Sequence, residues 1–314
     1  MGREKTESRK LFEDARDHFK RYENNKTRQI YTFTYRKFID YCRQEHKAKT
    51  KEDCECHIKE YIDFLKNKGV TASTLHTYLA SICVYHNIPM SKFDKPRRYT
   101  SEYRRGRADN DRLKRNDNNL DNEKYKRLVE FQKCVGIRRN ELKNLRGCDF
   151  VYDESGNPCV TVKKGKGGKK QYQRILPCDI DFIKSYFDGS EDFIFSKNEM
   201  RNKLPLHYLR AKFAQRSYAH YLKLAEDPKT RAKLESELRA RWNKYNTNPK
   251  TGKPKRLPSR LIDGYYYLRG KPRQFATENK LPLKYDKLAL LCVSVFSLSH
   301  WRNDITVLSY LLII

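Results

Sequence analysis

The chain has 314 residues, of which 38% are hydrophobic and 12% aromatic, enough for a packed core, so global disorder is excluded although 34% are charged. It carries 68 Lys and Arg against 39 Asp and Glu, a formal net charge of +29. Because such a charge repels itself unless a polyanion offsets it, nucleic acid is the favoured partner. No apolar stretch reaches the roughly 18 to 20 residues that span a bilayer, and the first residues form no signal peptide, so we expect no membrane contact.

The nine cysteines predict reduced thiols rather than a disulfide framework. An odd number scattered over a long chain is typical of a reducing compartment. Cys54, Cys56 and His57 stand close together, but no second ligand pair with zinc-like spacing follows them. We therefore expect a cytoplasmic, nucleoid-associated protein without a metal site and without a cofactor.

Residues 1–94 are predicted to form a small helical bundle. Apolar residues recur there at helical spacing in three segments. They are Tyr31, Tyr35, Phe38, Ile39 and Cys42, then Ile58, Tyr61, Ile62 and Leu65, then Leu75, Tyr78, Leu79 and Ile82. Gly69 fits the end of the second helix, and Thr71 or Ser73 can cap the third.

Residues 95–118 are predicted to be a basic linker. Apolar residues are too sparse to be buried, so an extended segment that follows a phosphate backbone is the simplest interpretation. Its candidate DNA-binding residues are Arg97, Arg98, Arg104, Arg105 and Arg107.

Residues 119–314 mix helical and strand patterns, which makes the whole chain mostly α with a small β-hairpin or sheet, in the α+β class. Helical patterns cover 120–131, 141–145, 206–224 and 284–298. Two β-patterned runs, 159–162 and 172–177, flank a turn rich in glycine and lysine. Residues 226–282 are polar and basic, with an evident loop at 246–255.

Several short motifs in this second block carry residue types suited to phosphate chemistry, although each alone is common. An arginine pair stands in Gly136-Ile137-Arg138-Arg139-Asn140-Glu141-Leu142, and lysines crowd the turn Gly165–Lys170. His207 and Arg210 are one helical turn apart on the same face. His300 and Tyr310 follow near the C-terminus.

The order of these motifs resembles the signature of the tyrosine recombinase, or phage integrase, family across the whole second block. The first block resembles that family's helical core-binding (SAM-like) domain at residues 61–65 and 72–82. The resemblance implies a core-binding domain, followed by a mixed catalytic domain over residues 119–314, which together form a clamp on double-stranded DNA.

The resemblance implies that two arginines stabilise the charge on a scissile phosphate, for which forked guanidinium donors are suited. Arg138 and Arg210 match them, and Arg139 is an alternative to Arg138. Glu141 is expected to orient the arginine or its helix.

The proton donor to the leaving 5′ oxygen is implied to be a lysine in the hairpin turn. Lys166 matches it, while Lys163, Lys164 and Lys169 are near enough to compete; Lys169 and Lys170 are also candidate DNA contacts. His207 and His300 match positions that handle protons or hydrogen-bond the phosphate. Tyr310 matches the nucleophile, which forms a 3′-phosphotyrosine link.

The second block departs from the family pattern in its spacing and in one residue type. The stretch from Arg210 to His300 is several times longer than usual, which predicts an insertion at about 225–282. Leu298-Ser299-His300 stands where the family has Leu-Gly-His.

The function implied is a site-specific recombinase or integrase that serves the integration or excision of a mobile element. Four protomers would assemble on two duplexes, with an accessory excision factor or a host DNA-bending factor as a further partner. The alternatives are a dimer resolvase or telomere resolvase with the same chemistry, and a basic DNA-binding protein that does not cut.

Overall fold

The structure is a computed structural model that describes residues 6–98, 120–163, 165, 170–246, 251–253 and 255–312. The chain divides into two compact units, Met1–Glu102 and Tyr103–Ile314. All nine cysteines are free thiols. None of the helices in the described part of the chain combines the length and the apolar character that crossing a membrane requires.

The first unit is built from helices around one apolar core. The helices are α1 Glu7–His18, α2 Asn25–His46, α3 Lys51–Cys56, α4 Ile58–Asn67 and α5 Ala72–His86. Helices α2 and α5 pack against each other and bury the apolar residues that the helical spacing predicts, among them Tyr35, Phe38 and Leu79. The hydroxyl of Thr71 accepts the backbone N–H of Thr74 and caps α5. Gly69 follows the end of α4 with φ +66°, as expected of a helix stop.

The second unit combines short helices, two long helices that follow each other in the chain and two small antiparallel sheets. Its elements are α6 Lys126–Val135, α7 Arg139–Leu142, β1 Phe150–Tyr152, β2 Pro158–Val162, β3 Gln171–Arg174, α8 Ile180–Lys184, α9 Lys197–Met200, α10 Leu206–Leu224, α11 Pro228–Tyr245, α12 Ser259–Ile262, β4 Tyr265–Tyr267, α13 Gly270–Glu278, β5 Lys284–Asp286, α14 Lys287–Cys292 and α15 Asn303–Thr306. Two π-helical turns, Val293–Ser297 and Val307–Leu311, extend α14 and α15. This content confirms a mostly α protein of the α+β class.

The predicted hairpin is present and belongs to a three-stranded sheet in the order β1-β2-β3. Val160 pairs with Gln173 and Val162 with Gln171, so the glycine- and lysine-rich turn joins β2 to β3. The sequence did not predict strand β1, because its three residues are too few to show an alternation of apolar and polar side chains.

Three predicted helices have different bounds. The pattern at 120–131 becomes α6, which begins only after a 3-10 turn at Glu123–Tyr125, and the pattern at 141–145 becomes α7. The prediction of helix from 284 was wrong, because β5 pairs with β4 there. The side chain of Asp286 then accepts the backbone N–H of Ala289, which sets the start of α14 at Lys287.

Residues 226–282 contain regular structure that the polar composition concealed. Asp227 caps the 18-residue helix α11 through the backbone N–H of Thr230, and a proline stands in its first turn. Only a narrow apolar stripe, including Leu234 and Leu238, is buried against the core formed by α10 and α14. Most of the helix surface is therefore polar and lacks a strong helical periodicity.

Candidate functional site

The backbone after α6 turns sharply and sets the direction of the first candidate arginine. Gly136 ends α6 with φ +62°, and a Cβ there would lie 2.6 Å from the Phe213 ring, so only glycine fits. The buried amide of Gln132 then holds the next residue from both sides, since it accepts from the N–H of Ile137 and donates to its carbonyl. Arg138 follows as the residue that precedes α7.

Arg138 is partly buried and held by three groups. Its Nη1 lies 2.8 Å from Glu141 Oε1 and 3.3 Å from the side-chain oxygen of Gln171, and its Nη2 lies 3.5 Å from the carbonyl of Leu298. Glu141, which is buried, also accepts the backbone N–H of Arg138. The structure therefore brings Glu141 to Arg138, where it can fix the guanidinium.

Arg139, the alternative to Arg138, lies elsewhere. Its guanidinium donates to the carbonyl and side chain of Asn202 and, at 2.6 Å, to the carbonyl of Leu204. These bonds join α7 to the segment before α10. The geometry therefore favours Arg138 over Arg139 as the site arginine.

Arg210 is almost fully buried, with 1% of its surface exposed. It lies on α10, and its Nη groups donate to the carbonyls of Gly136 and of Leu298, the latter at 2.9 Å. Its Nε lies 3.4 Å from the hydroxyl of Tyr310. Burial lowers the pKa of this arginine below its ordinary value. Both candidate arginines thus reach the Leu298 carbonyl.

Tyr310 is buried at the centre of these side chains, on the π-helical turn Val307–Leu311. The ring of His207, exposed on α10, is 5.2 Å from the Tyr310 ring, and the ring of His300 stacks on it at 6.3 Å. The side-chain amide of Gln215, also on α10, donates to the Tyr310 carbonyl at 3.3 Å. Helix α10 therefore contacts both the side chain and the backbone of this tyrosine.

His300 is held as a neutral imidazole. Burial, together with the positive charges of Arg210, Arg138 and Arg302, lowers its pKa to about 3. Its Nδ1 accepts the backbone N–H of Arg302 at 3.3 Å, so the ring hydrogen must be on Nε2. Nε2 is buried and has no hydrogen-bond partner among the described residues. It is thus a donor that a phosphate oxygen entering the site would satisfy.

Ser299 occupies the position where glycine was expected, and its backbone explains that expectation. Its φ is +55°, in the left-handed region that glycine tolerates and most side chains avoid. The backbone N–H of His300 then reaches the carbonyl of Ser294 at 2.7 Å. This turn directs the His300 ring toward Tyr310.

Five candidate residues fall outside the described residues: Lys166 and Lys169 in the β2–β3 turn, and Arg104, Arg105 and Arg107 in the linker. Lys164, one of the competing lysines, lies outside them too. Lys163 is paired with Asp149 and Glu191, at 3.4 and 3.7 Å. Lys170 is exposed beside the ring of Tyr172, and Arg97 and Arg98 are exposed in the first unit.

The region 225–282 contacts the segment that carries His300. The ring of Trp301, the residue after His300, packs edge to face against Trp242 of α11, with centroids 4.9 Å apart. The buried side chain of Asn303 donates to the carbonyl of Leu261 at 2.7 Å. On β3, Arg174 pairs with Glu237 of α11 at 2.7 Å. Sequence reasoning did not identify Gln171, Gln215 or Trp242, because contacts between distant segments leave no local pattern.

The residues considered for zinc do not converge. Cys54 is buried in the first core, and the thiol of Cys56 faces the carbonyl of Glu52 in its own helix. His57 instead stacks on His46, with ring centroids 3.7 Å apart, and both rings approach the carboxylate of Glu60, at 3.4 and 3.1 Å. A metal bound by both imidazoles has to lie in both ring planes, and parallel stacked rings do not allow that.

Comparison with solved structures gives a weak likeness. No family model matches the chain, and no curated protein matches it. Among solved structures, the crystal structure of XerA recombinase is similar over 65% of this chain and 83% of its own, with 19% identity and a TM-score of 0.24.

Proposed function

We propose that this chain is a tyrosine-type site-specific DNA recombinase, in which Tyr310 attacks a phosphodiester. The observation that carries the proposal is that side chains from three separate segments gather around one buried tyrosine on a fourth. Arg138 precedes α7, His207 and Arg210 lie on α10, His300 follows α14, and Tyr310 follows α15. They come from the motifs whose order resembles the recombinase family.

The proposed reaction is a transesterification that conserves the number of phosphodiester bonds. The Tyr310 oxygen bonds to phosphorus and passes its proton to His207, whose ring lies 5.2 Å from the Tyr310 ring, and the bond from phosphorus to the 5′ oxygen breaks. The product is a 3′-phosphotyrosine and a 5′ hydroxyl, which takes a proton from Lys166 as general acid. Attack by a 5′ hydroxyl reverses the step and rejoins the strand, so the chemistry requires neither ATP nor a metal.

The arginines and His300 would stabilise the charge that develops on the non-bridging oxygens. Arg138 is partly exposed, so its forked donors can exchange the Leu298 carbonyl for a phosphate oxygen. His300 offers its Nε2 hydrogen, which lacks an acceptor among the described groups. Glu141 and Gln171 would act as positioning residues for Arg138.

We further propose that four protomers act on two duplexes, in the integration or excision of a mobile element. The charge of +29 supports a polyanionic partner, and the candidate DNA contacts in 95–118 and in the β2–β3 turn extend the same basic character.

A nicked suicide substrate tests the proposal, with duplexes tiled across the DNA that flanks the coding sequence. Wild type is expected to yield a protein–DNA adduct that survives denaturation, while Tyr310→Phe binds the same DNA without forming it. The matched control is Tyr285→Phe, since Tyr285 is also buried in the second unit but lies on β5. An adduct from Tyr310→Phe at the wild-type level would refute the nucleophile, and binding without any wild-type adduct would favour a non-cleaving protein.

A further inference from the structure

A short aromatic ribbon is formed by β4, inside the region 225–282, and β5, just after it, apart from the residues around Tyr310. Strands β4 and β5 pair with Tyr267 opposite Lys284 and Tyr266 opposite Tyr285. Tyr285 is buried and Tyr266 half-buried against the core. Tyr265 and Tyr267 point to the other face, where 47% and 58% of their surfaces are exposed. The core therefore accounts for one face of the ribbon and leaves the other open.

The open face pairs aromatic rings with positive charge. The Lys284 ammonium lies 4.8 Å from the centre of the Tyr265 ring, and the two tyrosine rings are 6.4 Å apart. Residues 251–287 hold ten lysines and arginines against three acids, Asp263, Glu278 and Asp286. Asp286 is already paired with Arg231 at 3.2 Å. Exposed basic residues before and after β4 in sequence are Arg260, Arg269, Lys271 and Arg273.

We propose that the open face of β4–β5, formed by Tyr265, Tyr267 and Lys284, is a second contact surface for duplex DNA. Charge complementarity favours DNA as the partner. A second copy of the chain would bring its own excess of positive charge to this surface, and the two would repel each other. Tyrosine hydroxyls and lysines are regular donors to phosphate oxygens, and the rings can pack on sugars. A two-stranded ribbon also has the width that the major groove admits.

The inference rests on the proposed function for the identity of the partner, because it extends the DNA contact of the same enzyme beyond the reacting phosphate. The ribbon residues contact neither the candidate arginines nor Tyr310 in any described interaction. Loss of DNA at this surface should therefore weaken binding without removing the nucleophile.

Fluorescence anisotropy with a labelled 40-base-pair duplex, at several KCl concentrations, tests the proposal on the full chain. The paired substitution Tyr265→Ala, Tyr267→Ala is expected to weaken binding about tenfold, in line with the worth of one or two good contacts. Lys284→Gln is expected to lower the slope of log K against log salt by about one, as loss of one phosphate contact does.

Phe193→Ala provides the matched control. Phe193 is 50% exposed beneath the Arg146 guanidinium at 4.6 Å, but Asp188, Glu191 and Asp192 adjoin it in sequence. It is expected to leave affinity within twofold of wild type, and thermal unfolding checks that all variants are folded. The proposal would be overturned if the ribbon variants kept the wild-type DNA affinity and salt slope. It would also be overturned if Phe193→Ala lost as much DNA affinity as the ribbon variants. Loss of self-association by sedimentation, with DNA affinity unchanged, would also overturn it, in favour of a protein contact.

The two proposals fail separately. A wild-type chain that never forms an adduct, yet loses DNA affinity through the ribbon variants, would remove the recombinase and leave the binding surface. An adduct-forming chain whose ribbon variants bind normally would do the opposite.

Discussion

At the scale of single residues, the candidate site depends on donors that are already directed at one point. Arg210 contacts two carbonyls and the Tyr310 hydroxyl, and Arg138 shares the Leu298 carbonyl with it. In the proposed reaction, donors held in this way would stabilise the developing charge once a phosphate oxygen replaces the Leu298 carbonyl.

The neutral state of His300 has a consequence for stability at low pH. Its pKa is about 3 in the folded chain against about 6.5 when unfolded, so the unfolded chain binds the extra proton first as pH falls. The contribution of neutral His300 to the free energy of unfolding is complete above about pH 6.5. It is lost progressively toward pH 3, and the free energy of unfolding falls by at most about 1.4 kcal/mol per pH unit from this one group.

We expect His300→Gln to show a smaller loss of unfolding free energy than wild type between pH 6.5 and pH 4. Denaturant titrations at a series of pH values measure the free energy of unfolding of both proteins. The other histidines are common to both, so their contribution cancels in the difference. Parallel pH curves for the two proteins would show that His300 is not held neutral.

Ser299 gives a second prediction, because its left-handed backbone costs a serine about 1 to 2 kcal/mol that glycine avoids. Glycine loses part of this gain through the entropy of its unfolded chain, about 0.4 to 1 kcal/mol. Ser299→Gly should therefore raise the free energy of unfolding by up to about 1 kcal/mol, and Ser299→Val should lower it. Chemical denaturation measures the free energy of unfolding of the three proteins. A Ser299→Gly variant less stable than wild type would contradict a left-handed backbone at residue 299.

At the scale of elements, residues 225–282 support the segment between α14 and Tyr310. Trp242 packs on Trp301, Asn303 bonds to Leu261, and Arg174 joins β3 to α11. His300 and Tyr310 both lie in that segment, so α11 and α12 act on the site through their neighbours. The region is then a structural support of the site rather than a passive loop.

We expect Trp242→Ala to lower the rate of adduct formation about tenfold while DNA affinity stays within twofold. An edge-to-face aromatic pair is worth about 0.5 to 1.5 kcal/mol beyond its buried area, so its loss lets the His300 turn shift. Trp242→Phe, which retains a ring, should recover most of the rate.

Lys244→Ala on the same helix is the control, since Lys244 is exposed and pairs with Glu154. Single-turnover cleavage and anisotropy separate the two effects. Equal losses in rate and affinity for Trp242→Ala would indicate general unfolding and not a positioning role.

At this scale the sequence predicts helices well where apolar residues recur over several turns, as in α5 and α10, and α5 also has a side-chain cap at Thr71. It fails for α11, whose buried stripe is narrow, and for β4 and β5, which are three residues each. The motif residues could be chosen in advance because their types suit phosphate. Gln171, Gln215 and Trp242 could not, since their contacts join residues 33, 95 and 59 positions apart.

At the scale of the whole molecule, charge should dominate the affinity for DNA. With a net charge of +29, many phosphates are expected to be neutralised, and each releases counterions on binding. Between 50 and 200 mM KCl we expect affinity for a 40-base-pair duplex to fall by about a thousandfold or more, as six or more phosphate contacts would produce. A salt response of less than tenfold would contradict an extensive phosphate interface.

The central claim is that the covalent link to DNA forms at Tyr310, and mapping the linked peptide tests it most directly. The adduct from a suicide substrate would be digested with protease and nuclease, and the nucleotide-bearing peptide sequenced by mass spectrometry. We predict one modified peptide that contains Tyr310, joined through its oxygen to a 3′ phosphate. A modified peptide from any other part of the chain, such as the one with Tyr265–Tyr267, or a link to a 5′ phosphate, would contradict the account.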